Sequence, residues 1–560
     1  MVADNEKPLA KISAKSTADP ILRNALRYTI SAKEYEALHR YVLSRSRIIK
    51  RKLPSVTDFE DFVGVREFDE SRNGENACDK GTGWLMTRDE YNVATIRESL
   101  RVLLATAIGL KLWDIARRIL GMGRERLSKN KSKCSHLRQS LSLATILLLH
   151  RLLFRFFNRI RAHLLSSAAS PFCKRNKITS KALTSYFAAP IGASLSGLAL
   201  AIYPAESSRV TISIYVLSRA LEFAYNLAEE NGWIWKNGRP TWWGSWLLCP
   251  VSSGQLLLAF VYDRDCFPKA YGEFILKNSP AYIHNRPNDY PPFLPWPSKY
   301  EVINNLAAMS KQKYPKFISP ILFPESKPNF PSIAPITNAA HPLITQLSCA
   351  VLHPLDHSCL RTYLKNWITV FPQLTRFFTF VFSIFALPRI LLRLNKPDSI
   401  LNVPQVVIGR LMDRILRYSV FVSGAIGTSW ASVCLFQSIF SRNFLVEKRY
   451  FLGGFLGGLW AWIVRRQARS EFMYSMRASI LSCWQIGQKR GWWKSFPGGD
   501  ILVFIVGLAT LNVIFECDKG RGVVNSWMVR SVLSGARGYG WNGTAVVKNP
   551  EEQQLKYASS

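Results

Sequence analysis

Long apolar segments without charged side chains recur along the chain. Three of them contain no Asp, Glu, Lys or Arg over more than 20 residues: 182–205, 240–262 and 418–441. An α-helix rises about 1.5 Å per residue, so about 20 residues cross a hydrocarbon layer of about 30 Å. The pattern therefore predicts at least three transmembrane helices.

Other apolar segments are shorter or carry charges. Those without charge are 450–464 and 501–515, and those with charge are 102–120, 210–228, 367–392 and 472–486. Residues 141–165 differ, because Arg151, Arg155 and Arg159 recur every fourth position on one helical face. That spacing is as typical of an interfacial amphipathic helix as of a membrane span.

The chain matches itself at an offset of about 260 residues, a sign of an internal repeat. The glycine-rich segment 191–198 aligns with 452–459, and Gly232-Trp233 aligns with Gly491-Trp492. Each copy then holds five apolar segments. In the first copy they are 96–120, 139–161, 187–204, 210–229 and 243–262, and in the second they are 360–393, 414–440, 448–464, 471–487 and 500–516.

The repeat predicts an all-α fold, a polytopic transmembrane helical bundle of about 8–10 helices in two repeated units. The expected organisation is a polar, partly disordered N-terminal region at 1–92, repeat one at 93–265, a Pro-rich connector loop at 266–345, repeat two at 346–520 and a C-terminal tail at 521–560. If all five segments of each repeat cross the bilayer, the odd number gives the repeats opposite topology, as in inverted-repeat transporters.

Basic residues flank the apolar segments. The net charge is +35 at pH 7, and because residues 1–90 are nearly neutral, the excess lies in the apolar part of the chain. Lys and Arg beside apolar helices hold a membrane protein against anionic lipid. We therefore expect the lipid bilayer as the main partner, other membrane proteins or a second copy of the chain as further partners, and no nucleic acid.

The chain start and the cysteines indicate the compartment. The first 20 residues lack the apolar core of a secretory signal, and their Asp and Glu argue against a transit peptide. The 10 Cys residues are scattered without the spacing of a disulfide framework. These features predict insertion through internal segments and reduced thiols in an intracellular organelle membrane.

Small residues four positions apart mark the third segment of each repeat. A stripe of such residues lets a neighbouring helix backbone approach closely, which is how membrane helices pack. The alternative is a pore-lining or lipid-binding role. The predicted helix-packing residues are Gly192, Ser196 and Gly197 in repeat one, and Gly453, Gly454, Gly457 and Gly458 in repeat two.

Two arginines lie inside the fourth segments, Arg219 in repeat one and Arg477 in repeat two. An Arg at mid-membrane costs about 2.5–3.5 kcal/mol on insertion scales, so it should face the bundle interior, water or an acid. Glu222, one turn beyond Arg219, is an available partner. A structural ion pair or snorkelling explains these residues, and a substrate or proton path is the alternative.

Cys349, His353, His357 and Cys359 form a C-x3-H-x3-H-x-C pattern just before repeat two. Two thiolates and two imidazoles are a permissible zinc set. However, Pro354 interrupts the helix that would align the first three ligands, and the spacing is not a familiar zinc-finger one, so the sequence favours no metal. We expect no cofactor and no catalytic residues, because no nucleotide loop, nucleophile elbow, catalytic carboxylate pair or HExxH motif is present.

Two parts of repeat two carry a family resemblance. Residues 455–516, FLGGLWAWIVRRQ through GLATLNVIFE, and residues 353–367, HPLDHSCLRTYLKNW, resemble the second half of the transmembrane protein 135 family, also described as a peroxisomal membrane protein. That family belongs to the wider Tim17/Tim22/Tim23 group. Repeat one has Ser99 where repeat two has Cys359, so any Cys/His function is confined to repeat two.

The resemblance implies residence in a peroxisomal or mitochondrial membrane and a role in organelle dynamics or lipid homeostasis. We therefore expect a non-enzymatic integral membrane protein. The alternative is a transporter or channel that uses the interface between two inverted repeats, and a membrane-embedded enzyme of lipid metabolism is a third hypothesis.

Overall fold

The computed structural model describes residues 28–30, 32–41, 88–119, 129–204, 209–291, 293–324, 330–391, 404–517, 519–524 and 526–537. The described residues form 19 α-helices, several short 3-10 helices and one isolated β-bridge, between Lys316 and Gln346. The predicted all-α class is therefore confirmed for the described residues. Most of the polar N-terminal region predicted at 1–92, and the tail beyond residue 537, lie outside them.

The chain forms two compact units, which are described separately. The discontinuous unit comprises Met1–Ile234 and Pro497–Ser560, and the central unit comprises Trp235–Phe496. The last helix of each predicted repeat, at 243–262 and at 500–516, thus falls in a different unit from the four segments before it.

The discontinuous unit contains ten of the α-helices. They are α1 (Ala32–Tyr41), α2 (Arg88–Ile119), α3 (Lys129–Leu164), α4 (Ser170–Arg175), α5 (Lys177–Thr184), α6 (Ala188–Ser194), α7 (Arg209–Glu230), and, after the central unit, α17 (Gly499–Glu516), α18 (Gly520–Val523) and α19 (Trp527–Arg537). A 3-10 helix, Leu195–Ile202, continues α6. In this unit α17 packs along α7 and α6, and α3 packs against α2 and α6.

The central unit contains the other nine. They are α8 (Leu248–Tyr262), α9 (Lys269–Lys277), α10 (Lys299–Lys311), α11 (Ala334–Thr337), α12 (Leu347–Leu352), α13 (Cys359–Leu391), α14 (Pro404–Ile439), α15 (Lys448–Gly458) and α16 (Arg469–Lys489). A 3-10 helix, Leu459–Val464, continues α15. Here α8 packs along α15 and α16, and α14 lies between α13 and α15.

Among the described residues, five helices are long and apolar enough to cross a membrane. They are Ser135–Leu164, Ser245–Tyr262, Cys359–Pro388, Pro404–Ile439 and Gly499–Glu516. A sixth span results if Lys177–Thr184 and Ala188–Ile202, which meet at a bend of 85°, count as one.

This number is lower than the 8–10 predicted, and the physical reasons differ between segments. Charged side chains along α2, at 96–120, and in α16, at 471–487, lower the hydropathy of otherwise apolar helices. In α15 the helix has only 11 residues before it changes to 3-10 geometry, too few to cross about 30 Å of hydrocarbon. These segments therefore pack among the candidate spans but are not themselves long and apolar enough to cross a membrane.

The residues predicted as a Pro-rich connector loop, 266–345, contain α9, α10 and α11 and join the core of the central unit. A capping box starts α10, in which the Glu301 amide donates to Ser298 Oγ at 3.2 Å and Glu301 caps the Ser298 amide in return. Trp430 Nε1 of α14 donates to Ser279 Oγ at 2.8 Å, and Tyr450 Oη of α15 donates to the Leu306 carbonyl at 3.0 Å. These bonds hold the segment against α14 and α15.

The glycines of α15 line two different helix contacts. A Cβ at Gly454 would lie 2.9 Å from Gly254 Cα of α8, and one at Gly458 would lie 2.5 Å from Pro250 Cα of the same helix. A Cβ at Gly457 would lie 2.6 Å from the Ala425 carbonyl oxygen of α14, and Gly453 faces Ser432 of α14. The glycine stripe therefore lets α15 approach α8 on one side and α14 on the other.

The three small residues of repeat one are also buried. A Cβ at Gly192 would overlap the Phe157 ring of α3, and one at Gly197 would lie 2.8 Å from Ile505 Cγ1 of α17. Ser196 is fully buried in the 3-10 helix that follows α6. The stripe again lies at helix contacts within its own unit.

We expect Gly458→Ala to destabilise the protein by about 1–3 kcal/mol, because the added methyl group overlaps the α8 backbone, which cannot move aside as a side chain can. The measurement is the thermal unfolding midpoint of the purified chain in detergent. Gly409→Ala is the matched control, since a Cβ at Gly409, inside α14, meets nothing within 4 Å. That change should be neutral or stabilising by up to about 1 kcal/mol, and equal midpoints for the two variants would contradict the packing role.

Candidate functional site

A thiol and imidazole cluster lies in the central unit, where α12, α13 and α14 meet. Cys349 lies in α12, a short helix whose residues are all buried. His353 ends that helix, and its amide donates to the Cys349 carbonyl at 2.8 Å. The chain then turns at 354–358 so that Cys359 starts α13, while Cys434 lies near the C-terminal end of α14.

The four side chains converge on one point. Their ligand atoms, three Sγ and one imidazole nitrogen, all lie within 4.8 Å of one another. His353 Nε2 lies 3.3 Å from Cys359 Sγ and 3.5 Å from Cys434 Sγ, and the sulfurs of Cys349 and Cys359 are 3.8 Å apart. Cys349, His353 and Cys434 are buried, and Cys359 is exposed.

The ring orientation of His353 follows from a second contact. Nδ1 lies 2.7 Å from the Asp356 carbonyl oxygen, and because a carbonyl only accepts, Nδ1 carries the proton of that bond. Nε2 is thereby directed at the sulfurs. Burial alone would lower the pKa of His353, but hydrogen bonds with the Cys349 and Cys359 sulfurs raise it to about 10.

A cavity of about 560 Å³ opens beside the cluster. Its polar lining includes Cys349, Cys359, Cys434 and Gln346, and its apolar wall is formed mainly by leucines of α13, α14 and α15. The exposed Cys359 therefore lies where the buried members of the cluster meet this cavity.

The structure brings together three of the four residues of the C-x3-H-x3-H-x-C pattern and adds one from far along the chain. His357 is exposed, and its ring packs against His341 at 5.3 Å between centroids. Pro354 does end the helix after Cys349, but the turn that follows returns Cys359 to the first two ligands. Cys434 was missed because a single Cys in an apolar helix carries no local signal, and only the packing of α14 places it here.

A second polar cluster is buried in the discontinuous unit. Asn512 Nδ2 of α17 donates to Ser194 Oγ of α6 at 2.9 Å and to His150 Nε2 of α3 at 3.0 Å. His150 Nδ1 in turn contacts the Ala536 carbonyl oxygen at 3.1 Å. All three side chains are 2% exposed or less. The hydrogen bonds link three helices through groups that lipid could not satisfy.

A buried ion pair lies next to the same cluster. Arg537 Nη1 of α19 lies 2.8 Å from Glu516 Oε1 at the end of α17, and both side chains are below a tenth exposed. Tyr186 Oη donates to the Glu516 carbonyl at 3.0 Å. Burial lowers the pKa of Arg537 to about 10, which still leaves the guanidinium charged at neutral pH. The pair was missed because Arg537 belongs to the segment predicted as a tail.

The arginines that the sequence singled out lie elsewhere. Arg219 Nη1 lies 2.7 Å from Glu222 Oε2 within α7, which is the partner suggested by the spacing. Arg477 is half-buried in α16. Neither α7 nor α16 is among the candidate spans of the described residues. Arg151 of α3, by contrast, is buried and donates through Nε to the Gly535 carbonyl at 3.1 Å.

No protein-family profile, curated protein or solved structure matches this chain.

We expect Glu516→Gln to destabilise the protein by about 3–5 kcal/mol, because it leaves the buried Arg537 charge unpaired. The double variant Glu516→Leu/Arg537→Met removes both charges and should recover most of that loss. The measurement is the thermal unfolding midpoint in detergent. A double variant no more stable than Glu516→Gln would show that the pair does not act as a unit.

Proposed function

We propose that this chain is a non-enzymatic, multi-pass protein of a peroxisomal or mitochondrial membrane that acts in organelle dynamics or lipid homeostasis. The observation that carries the membrane part of the proposal is the open apolar surface of α13. Only 11% of the most apolar 18-residue stretch of this helix is buried inside the protein. Phe380, Phe385 and Ile368 are each at least two-thirds exposed, and a lipid bilayer is the solvent in which such a surface is stable.

The polar groups of α13 also suit lipid. Thr375 Oγ1 and Thr379 Oγ1 each donate to the carbonyl four residues earlier, at 2.8 Å. Their hydroxyls are therefore satisfied within the helix, as the absence of water in a bilayer core requires. Arg361 and Lys365 lie in the first two turns of this helix, where basic residues contact anionic lipid headgroups, and Arg376 is an exposed charge in its middle.

The organelle and the lipid-related role rest on the resemblance of residues 353–367 and 455–516 to the transmembrane protein 135 family. The basic excess is consistent with a membrane rich in anionic lipid. Partners of the proposed protein are the bilayer itself and other membrane proteins or further copies of the chain.

We expect the tagged chain to coincide with a peroxisomal or a mitochondrial marker by microscopy and to resist alkaline carbonate extraction. The double variant Phe380→Lys/Phe385→Lys should become extractable, because each Lys at mid-membrane costs about 2.5–3.5 kcal/mol of insertion. Phe293→Lys is the control, since Phe293 is exposed and lies outside the candidate spans. A chain that reaches neither organelle, or a double variant that inserts normally, would count against the proposal.

The second candidate is a transporter or channel built on two inverted repeats, and several features support the repeat. The fourth segments end alike: Trp233 N donates to the Ala228 carbonyl at 2.9 Å and Trp492 N to the Gly487 carbonyl at 2.8 Å. The preceding glycines, Gly232 and Gly491, have φ values of +70° and +73°. Both third segments begin as α-helix and continue as 3-10 helix.

The fifth segments support it further. Within the central unit α8 packs on α15 and α16, and within the discontinuous unit α17 packs on α6 and α7. Under the repeat alignment, each fifth segment therefore contacts the third and fourth segments of the other repeat. Inverted repeats with discontinuous helices at the substrate site are typical of transporters.

An inverted repeat places equivalent loops on opposite sides of the membrane. We expect Asn237→Cys and Ser495→Cys to be labelled by an impermeant maleimide from opposite faces of sealed organelles, in a chain whose exposed native thiols are replaced. These two positions precede the fifth segments, and both are exposed. Labelling of both from one face would exclude the inverted arrangement.

Transport itself is tested with the purified chain in liposomes. Protein-dependent solute flux would distinguish a transporter from a scaffold.

A further inference from the structure

We propose that Cys349, His353, Cys359 and Cys434 bind one Zn²⁺ ion in a structural site. The geometry carries the proposal. A tetrahedral zinc ion with Zn–S of about 2.3 Å and Zn–N of about 2.0–2.1 Å holds two sulfurs about 3.8 Å apart, and a sulfur and a nitrogen about 3.6 Å apart. The Cys349 and Cys359 sulfurs are 3.8 Å apart, and His353 Nε2 lies 3.3 Å from Cys359 Sγ and 3.5 Å from Cys434 Sγ.

A contact of His353 outside the four ligands also fits a metal site. Metal-binding histidines usually donate their other ring N–H to a carbonyl or carboxylate, which fixes the tautomer and aims the lone pair at the metal. His353 Nδ1 makes that contact with the Asp356 carbonyl oxygen at 2.7 Å.

The ligand chemistry selects the ion. Three thiolates and an imidazole are soft donors that suit Zn²⁺, whereas Mg²⁺ and Ca²⁺ prefer oxygen ligands. A two-iron cluster would spread its terminal ligands over two metal atoms, but all four ligand atoms here lie within 4.8 Å of one another. A single ion fits that spacing. Four protein ligands complete its tetrahedron, which is typical of structural rather than catalytic zinc.

The ion would join three helices. Cys349 and His353 lie at the end of α12, Cys359 at the start of α13 and Cys434 inside α14. Zinc therefore fixes the polar turn at 354–358 against a candidate membrane span. This role goes beyond the proposed membrane function and does not depend on it.

The test measures metal bound to the full-length chain purified in detergent without added metal or chelator. Elemental analysis should find one zinc ion per chain, and X-ray absorption at the zinc edge should show three sulfur ligands and one nitrogen ligand. Cobalt exchanged into the site should give the intense d–d bands of a tetrahedral thiolate complex. The spectra use the unaltered chain, so they test the site even if a ligand variant fails to fold.

Variants assign the ligands. Cys434→Ser and His353→Ala should each reduce bound zinc at least tenfold, and a chelator should lower the unfolding midpoint of the unaltered chain but not that of Cys434→Ser. His357→Ala and Cys266→Ser are the controls and should retain zinc, because His357 packs on His341 and Cys266 lies outside the cluster. Absence of zinc from the unaltered chain, or zinc that Cys434→Ser and His353→Ala leave unchanged, would overturn the proposal.

Discussion

Close approach of α15 to the helices on both sides of it is the contact on which the central unit depends. Gly454 and Gly458 face α8, and Gly453 and Gly457 face α14. Without a hydrophobic driving force between helices in lipid, packing at short distance must supply the association energy. The same contact sets the position of α14, and α14 in turn supplies Cys434 to the thiol cluster and Trp430 to the bond with Ser279.

The two units satisfy their buried polar groups in different ways. In the discontinuous unit, Asn512 donates a hydrogen bond to His150 on another helix, and Glu516 compensates the charge of Arg537. In the central unit, three cysteines and one histidine converge where a turn meets a candidate span. A hydrogen-bonded amide needs no ion, whereas three sulfurs and one imidazole nitrogen within 4.8 Å of one another are donors that a single soft cation can bind together. The difference explains why only the second cluster suggests a metal.

The proposed repeat gives these contacts a common origin. Each third segment is glycine-rich and changes from α to 3-10 geometry, and each fourth segment ends in a left-handed glycine followed by Trp. Under the alignment the fifth segments are exchanged, since α8 packs on α15 and α16 while α17 packs on α6 and α7. Under that alignment, each repeat contributes its fifth segment to the unit that holds the third and fourth segments of the other repeat.

Periodicity and composition determined the all-α class, two of the three strongest spans (240–262 and 418–441) and the small-residue stripes, because these depend only on how residues are spaced along one helix. The third, 182–205, is divided by a bend of 85°. Periodicity and composition overstated the number of spans, since an apolar segment such as 448–464 can be too short or too irregular to cross lipid. Tertiary structure alone decided which side chains meet. Cys434 joins Cys349 and His353, and Arg537 meets Glu516, only because distant helices pack together. The Pro-rich segment 266–345 likewise becomes part of the core through bonds to Trp430 and Tyr450 that no local pattern encodes.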